Sequence, residues 1–159
     1  MVGNIVPKPG EIMGILGEDG DEVFRAVYNY IKEWQPKQGY KSESEYREDL
    51  FQFLSSKAEK YPPQKEAGRH LADIGIGNRV GIEVKKDLHS KAEADRLSGQ
   101  LMNFLSDYKY GVIVVACGKT DLNTLNYVKA QKAKLLAPYT DTGILSSTTE
   151  RYLGFIEKA

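Results

Sequence analysis

Only one cysteine, Cys117, occurs in the 159 residues, so no disulfide can form within the chain. The two histidines, His70 and His89, have no partner at zinc-ligand or nucleophile-base spacing, and there is no glycine-rich phosphate loop. No apolar run is long enough to cross a bilayer, and the Met-Val-Gly-Asn start lacks the charged and apolar regions of a signal peptide. We therefore expect a soluble protein with no membrane partner, in a reducing, cytoplasmic compartment that keeps Cys117 a buried thiol. Repeats and low-complexity tracts are absent too. Neither sign of charge is in excess, with 22 Lys and Arg against 22 Asp and Glu.

A chain of this length can bury one substantial core and is too short for two ordinary domains. Residues 1–20 are rich in Gly and Pro and are expected to form an irregular N-terminal arm, leaving 21–159 as a single α/β domain. Val23, Phe24, Val27, Tyr28, Ile31 and Trp34 recur at helical spacing, which predicts a helix over 21–34 that Pro36 ends. A second helix is expected over 43–60, stopped by Pro62-Pro63, followed by a short strand from Gln64 to Gly68. A helix containing Arg96 and Gln100 leads to the apolar strand 111–116, an arrangement that calls for parallel pairing by crossover. Then come a helix over 121–135 and two short strands, 143–145 and 151–156, separated by Ser-Ser-Thr-Thr. The pattern predicts helices on both faces of a mixed sheet of about five strands.

Between the second and third helices lies LADIGIGNRVGIEVKK, in which Ile74, Ile76, Val80, Ile82 and Val84 are even-numbered while Asp73, Gly75, Gly81, Glu83 and Lys85 are odd-numbered. Strands alternate faces with period two. A hairpin turning through Gly77-Asn78-Arg79 would bury the aliphatic set on one face and gather Asp73, Glu83 and Lys85 on the other. A three-residue loop with Gly or Asn in the left-handed conformation keeps this register, whereas a two-residue Gly-Asn turn would set Asp73 opposite Ile82.

Two carboxylates and an ammonium on a half-buried face need compensation, because isolated charges leave water only at high cost. A divalent cation supplies it: Asp73, Glu83 and the backbone carbonyl of Val84 are the hard oxygen donors that Mg²⁺ or Mn²⁺ prefers. The alternative is a solvated hairpin face on which Glu83 and Lys85 are simple neighbours.

Asp73, nine intervening residues, then Glu83-Val84-Lys85 resembles the PD-(D/E)XK nuclease superfamily, in which an acidic residue on one strand precedes an E-x-K triplet on the next. The resemblance extends from Glu43 to Cys117 through the flanking stretches SESEYREDLFQFL and EADRLSGQLMNFL. Ala72 stands where the nominal motif has Pro, a position without a catalytic group. The resemblance implies a restriction-endonuclease-like sandwich and a Mg²⁺- or Mn²⁺-dependent deoxyribonuclease. In it Asp73, Glu83 and Lys85 are catalytic, Glu45 at the start of the preceding helix is an acidic residue near the metal, with Glu48 as substitute, and Gln100 is the glutamine of the following helix.

Arg96, Gln100 and Asn103 repeat on one polar stripe suited to a phosphate backbone, and Lys86 and Lys91 after the hairpin are further nucleic-acid-binding candidates. The neutral total hides an asymmetry, since residues 1–56 hold 6 basic against 10 acidic residues and residues 57–159 hold 16 against 12. DNA is the expected partner, and a homodimer through the 21–34 stripe or the last strand is a way to cut two strands in register. The second reading is a non-catalytic nucleic-acid- or protein-binding module on the same fold.

Overall fold

The computed structural model describes residues 18–67, 71–140 and 150–159, with the side chains of Glu66 and Ala67 left aside. The expected strand 143–145, the Ser-Ser-Thr-Thr turn and nearly all of the expected N-terminal arm lie outside the described residues.

In chain order the elements are α1 (Gly20–Glu33), α2 (Glu43–Lys57), β1 (Gln64–Ala67), β2 (Ala72–Ile76), β3 (Val80–Lys86), α3 (Lys91–Asp107), β4 (Gly111–Cys117), α4 (Leu122–Lys129), α5 (Lys132–Leu136), a 3₁₀ turn (Ala137–Tyr139) and β5 (Tyr152–Lys158). The strands form one open mixed sheet in the order β1-β2-β3-β4-β5. Its first two pairings are antiparallel, and β3–β4 and β4–β5 are parallel. The crossover from β3 through α3 to β4 therefore has the expected form. Among the described residues no helix is long and apolar enough to cross a membrane.

Two cores sandwich the sheet. On one face Val23, Val27, Ile31 and Trp34 of the α1 region and Tyr46, Leu50 and Leu54 of α2 pack on Ile74, Ile76, Val80, Ile82 and Val84. On the other, Leu97, Leu101, Phe104 and Leu105 of α3, with Leu125 and Val128 of α4, pack on Val112, Val114 and Ala116. Strand β4 sends its odd residues Ile113, Val115 and Cys117 to the first core and its even ones to the second. That is why it reads as an unbroken apolar run.

The β2–β3 hairpin pairs Ile76 with Val80, Gly75 with Gly81 and Ile74 with Ile82, closing over Gly77-Asn78-Arg79. Gly77 takes the left-handed φ of 55°, and the Arg79 N–H donates to the Ile76 carbonyl at 2.9 Å. The expected three-residue loop and even register are both present. On the odd face the Tyr108 ring packs over Gly81, where a Cβ would come within 2.5 Å of it. This side of the hairpin is thus roofed rather than open to solvent.

One element departs from expectation. The helix read over 121–135 is broken into α4 and α5, because the Gln131 N–H bonds the Val128 carbonyl three residues back and tightens the turn. The break lets Leu125 and Val128 on one side, and Leu135 on the other, reach the same core.

Candidate active site

Strand β2 stays paired with β3 only as far as Ile74 and Ile82. Past that point β3 needs other acceptors along that edge, and carboxylates provide them. The Val84 N–H donates to Asp73 Oδ2 at 2.8 Å, and two residues on, the Lys86 N–H donates to Glu43 Oε2 at 3.3 Å. The Asp73 N–H in turn donates to Glu83 Oε1 at 3.3 Å. A strand residue directs its N–H and C=O to the same edge, so the Val84 carbonyl opens toward the gap that holds Asp73.

Lys85 Nζ lies 3.1 Å from Glu83 Oε2, which joins Asp73, Glu83 and Lys85 into one connected group. Glu83 is only 4% exposed, so the polar face is buried and the solvated-hairpin alternative does not hold for it. Burial, and then the charge of Asp73, push the Glu83 carboxyl up from 4.5 to about 7 against the opposing pull of Lys85. An acid so placed is poised for a further positive charge.

Two residues not chosen from the sequence complete the group. Arg47 Nη1 of α2 lies 3.3 Å from Asp73 Oδ1, and Glu43, one helical turn earlier, caps the β3 edge at Lys86. Glu45 is not brought to Asp73 and Glu83. It sits in the helix cap, where Ser42 Oγ donates to its carboxylate at 2.9 Å and accepts its N–H at 3.3 Å. The substitute, Glu48, pairs with Lys65 of β1 and accepts from Gln52 at 2.9 Å. Asp49 is structural: burial favours its neutral form, but hydrogen bonds from the Lys37 N–H, Tyr40 and Trp34 outweigh that and hold its pKa below the usual value.

A signal for Glu43 and Arg47 was present. At about 100° per residue Glu43 falls inside the arc of Tyr46, Leu50 and Leu54 and Arg47 at its border, while Glu45 falls on the far flank.

Gln100 and Arg96 of α3 line a cavity of about 60 Å³ with Lys85, Lys86 and Glu43. Gln100 Oε1 is buried there with no hydrogen-bond partner among the described residues, and so stands ready for a donor. Lys86 pairs with Asp87. Lys91 lies elsewhere, beside Asn123, Thr124 and Tyr127. Among the described residues no three His, Cys, Asp or Glu side chains cluster closely enough to hold a metal, so Asp73, Glu83 and the Val84 carbonyl are the oxygen donors at hand. No protein-family description, curated protein or solved structure matches the chain.

Proposed function

We propose that this chain is a metal-dependent deoxyribonuclease of the PD-(D/E)XK type on a restriction-endonuclease-like fold. The observation that carries the reading is the linkage of Asp73, Glu83 and Lys85, through contacts of 3.3 and 3.1 Å, where β2 parts from β3.

The residues suit Mg²⁺ or Mn²⁺. Among the described residues, the carboxylate oxygens of Asp73 and Glu83 accept from Arg47, Val84, Asp73 and Lys85, and the oxygens that face the side chains of Arg47 and Lys85 can take a metal in their place. Held by Asp73, Glu83 and the Val84 carbonyl, a divalent ion would make water more acidic and draw charge from a phosphate. Lys85, 17% exposed, stabilises negative charge on the phosphoryl oxygens. Gln100 accepts from a water or nucleotide donor in the cavity beside it. Arg96 and Lys86 neutralise backbone phosphates there, and Lys91 meets the strand further along.

Labelled single-stranded, duplex, flap and four-way-junction DNA, incubated with and without Mg²⁺, tests the reading. Cleavage is expected with metal only, and is expected to vanish in Asp73→Ala and Glu83→Ala variants that keep the wild-type circular dichroism. Cutting at the wild-type rate by either variant removes this site from consideration.

The non-catalytic module is the second reading. Its support is that Asp73 and Glu83 already have cationic partners, Arg47 and Lys85, without a metal. Calorimetric titration with Mn²⁺ separates the two, since a module binds none at millimolar concentration.

A further inference from the structure

Asp73 uses its two oxygens differently. Oδ2 is committed to the β3 backbone through the Val84 N–H, whereas Oδ1 faces the guanidinium of Arg47 at 3.3 Å. The first contact substitutes for a missing sheet hydrogen bond and cannot be given up without stranding a buried donor. The second joins two side chains that are 27% and 19% exposed, so it can exchange for another cation. With Glu83 ionised, the side chains of Asp73, Glu83, Lys85 and Arg47 carry two negative and two positive charges. A divalent ion adds two positive charges to this half-buried site, which an arriving anion offsets.

We infer that Arg47 is the exchangeable counter-ion of Asp73: it occupies Oδ1 until a divalent cation arrives, then turns to the phosphodiester, so that metal and nucleic acid bind with positive coupling. This inference rests on the nuclease reading. It gives Arg47 two roles, counter-ion to Asp73 before the metal arrives and phosphate contact through its N–H donors afterwards. Arg47 stands on α2, where the packing of Tyr46, Leu50 and Leu54 against the hairpin fixes its base beside β2 and β3. Glu43, one turn away, holds the neighbouring edge of β3. The guanidinium therefore moves on a stationary backbone.

The test is calorimetric titration of Mn²⁺ into wild-type protein, Arg47→Gln and Arg47→Lys without DNA, repeated in the presence of dithymidine joined by a phosphorothioate linkage. Arg47→Gln is expected to bind Mn²⁺ about tenfold more tightly than wild type, a coupling of ordinary size. Arg47→Lys, which keeps the charge, is expected to stay close to wild type. The dinucleotide is expected to tighten Mn²⁺ binding to wild type and to have a much smaller effect on Arg47→Gln. Should Arg47→Gln fail to fold, the wild-type pair of titrations decides alone, and equal Mn²⁺ affinity with and without the dinucleotide overturns the coupling. If wild type and Arg47→Gln bind Mn²⁺ equally and wild type cuts DNA, the exchange role is wrong while the nuclease reading stands. If wild-type protein neither binds Mn²⁺ nor cuts any DNA, both fall together.

Discussion

Asp73 closes the β3 edge at Val84 with its side chain rather than its backbone, the carboxylate Oδ2 accepting the Val84 N–H at 2.8 Å. One residue is thus both a functional acid and a replacement for a strand hydrogen bond. Asp73→Ala is expected to lose cleavage and also to destabilise the fold by about 1–3 kcal/mol, because a buried N–H is left without an acceptor. Asp73→Asn retains a carbonyl oxygen and is expected to recover most of that stability without recovering cleavage. Urea denaturation of both variants beside wild type, in chelator, checks the difference.

Glu83 gives the metal-free protein a pH dependence of defined sign. Its carboxyl rises from 4.5 to about 7, chiefly through burial and secondarily through Asp73. The folded state then binds more protons than the unfolded state between those values, so stability falls as pH rises through that window and levels off above it. The loss amounts to at most about 3 kcal/mol. In Glu83→Gln the slope over this window is expected to disappear. Denaturation midpoints in chelator at pH 5 and pH 8 measure it, and an identical slope in the variant would show that another group is responsible.

Glu43 and Glu45 are two residues apart on α2 and do different work. Glu45 is tied to Ser42 at the helix cap, while Glu43 faces the Lys86 N–H and the cavity that holds Lys85. Glu45→Ala keeps the Ser42 cap on the residue-45 N–H and loses only an exposed side-chain contact, so it is expected to cost at most about 1 kcal/mol. Glu43→Ala is expected to lower cleavage more than Glu45→Ala does. Thermal melts together with cleavage rates on the best DNA substrate separate the two, and the reverse ranking would restore Glu45 as the helix carboxylate.

Gln100 presents a buried oxygen with no partner among the described residues. Replacing it with Met keeps the volume and removes an unsatisfied acceptor, so the metal-free protein is expected to be as stable as wild type or more so. Cleavage is expected to fall because the donor-seeking oxygen is gone. A destabilised variant with unchanged cleavage would mean that the amide serves packing alone.

Much of this was legible in the chain because it depends on local periodicity. The even aliphatic and odd polar positions of the 73–85 segment force one register, and the structure pairs Ile74 with Ile82 as that register requires. The helices at 20–33, 43–57 and 91–107 and the strand 111–117 follow from apolar spacing and end near their breaking residues. The break at Gln131 was not visible, since no residue there forbids a helix and only the competing demands of packing Val128 on one side and Leu135 on the other create it.

By itself, then, the amino-acid order determined that Glu83 and Lys85 share a face of β3 and that Asp73 lies on the strand beside them, because side-chain alternation and hairpin register are local rules. Tertiary structure decided which groups meet them: Arg47 and Glu43 come from a helix 26 or more positions away from Asp73, and Gln100 from the helix on the opposite layer. Those meetings depend on where β2 parts from β3 and on how α2 and α3 settle against the sheet. Such distances arise only when two cores pack at once, and no short-range pattern encodes them.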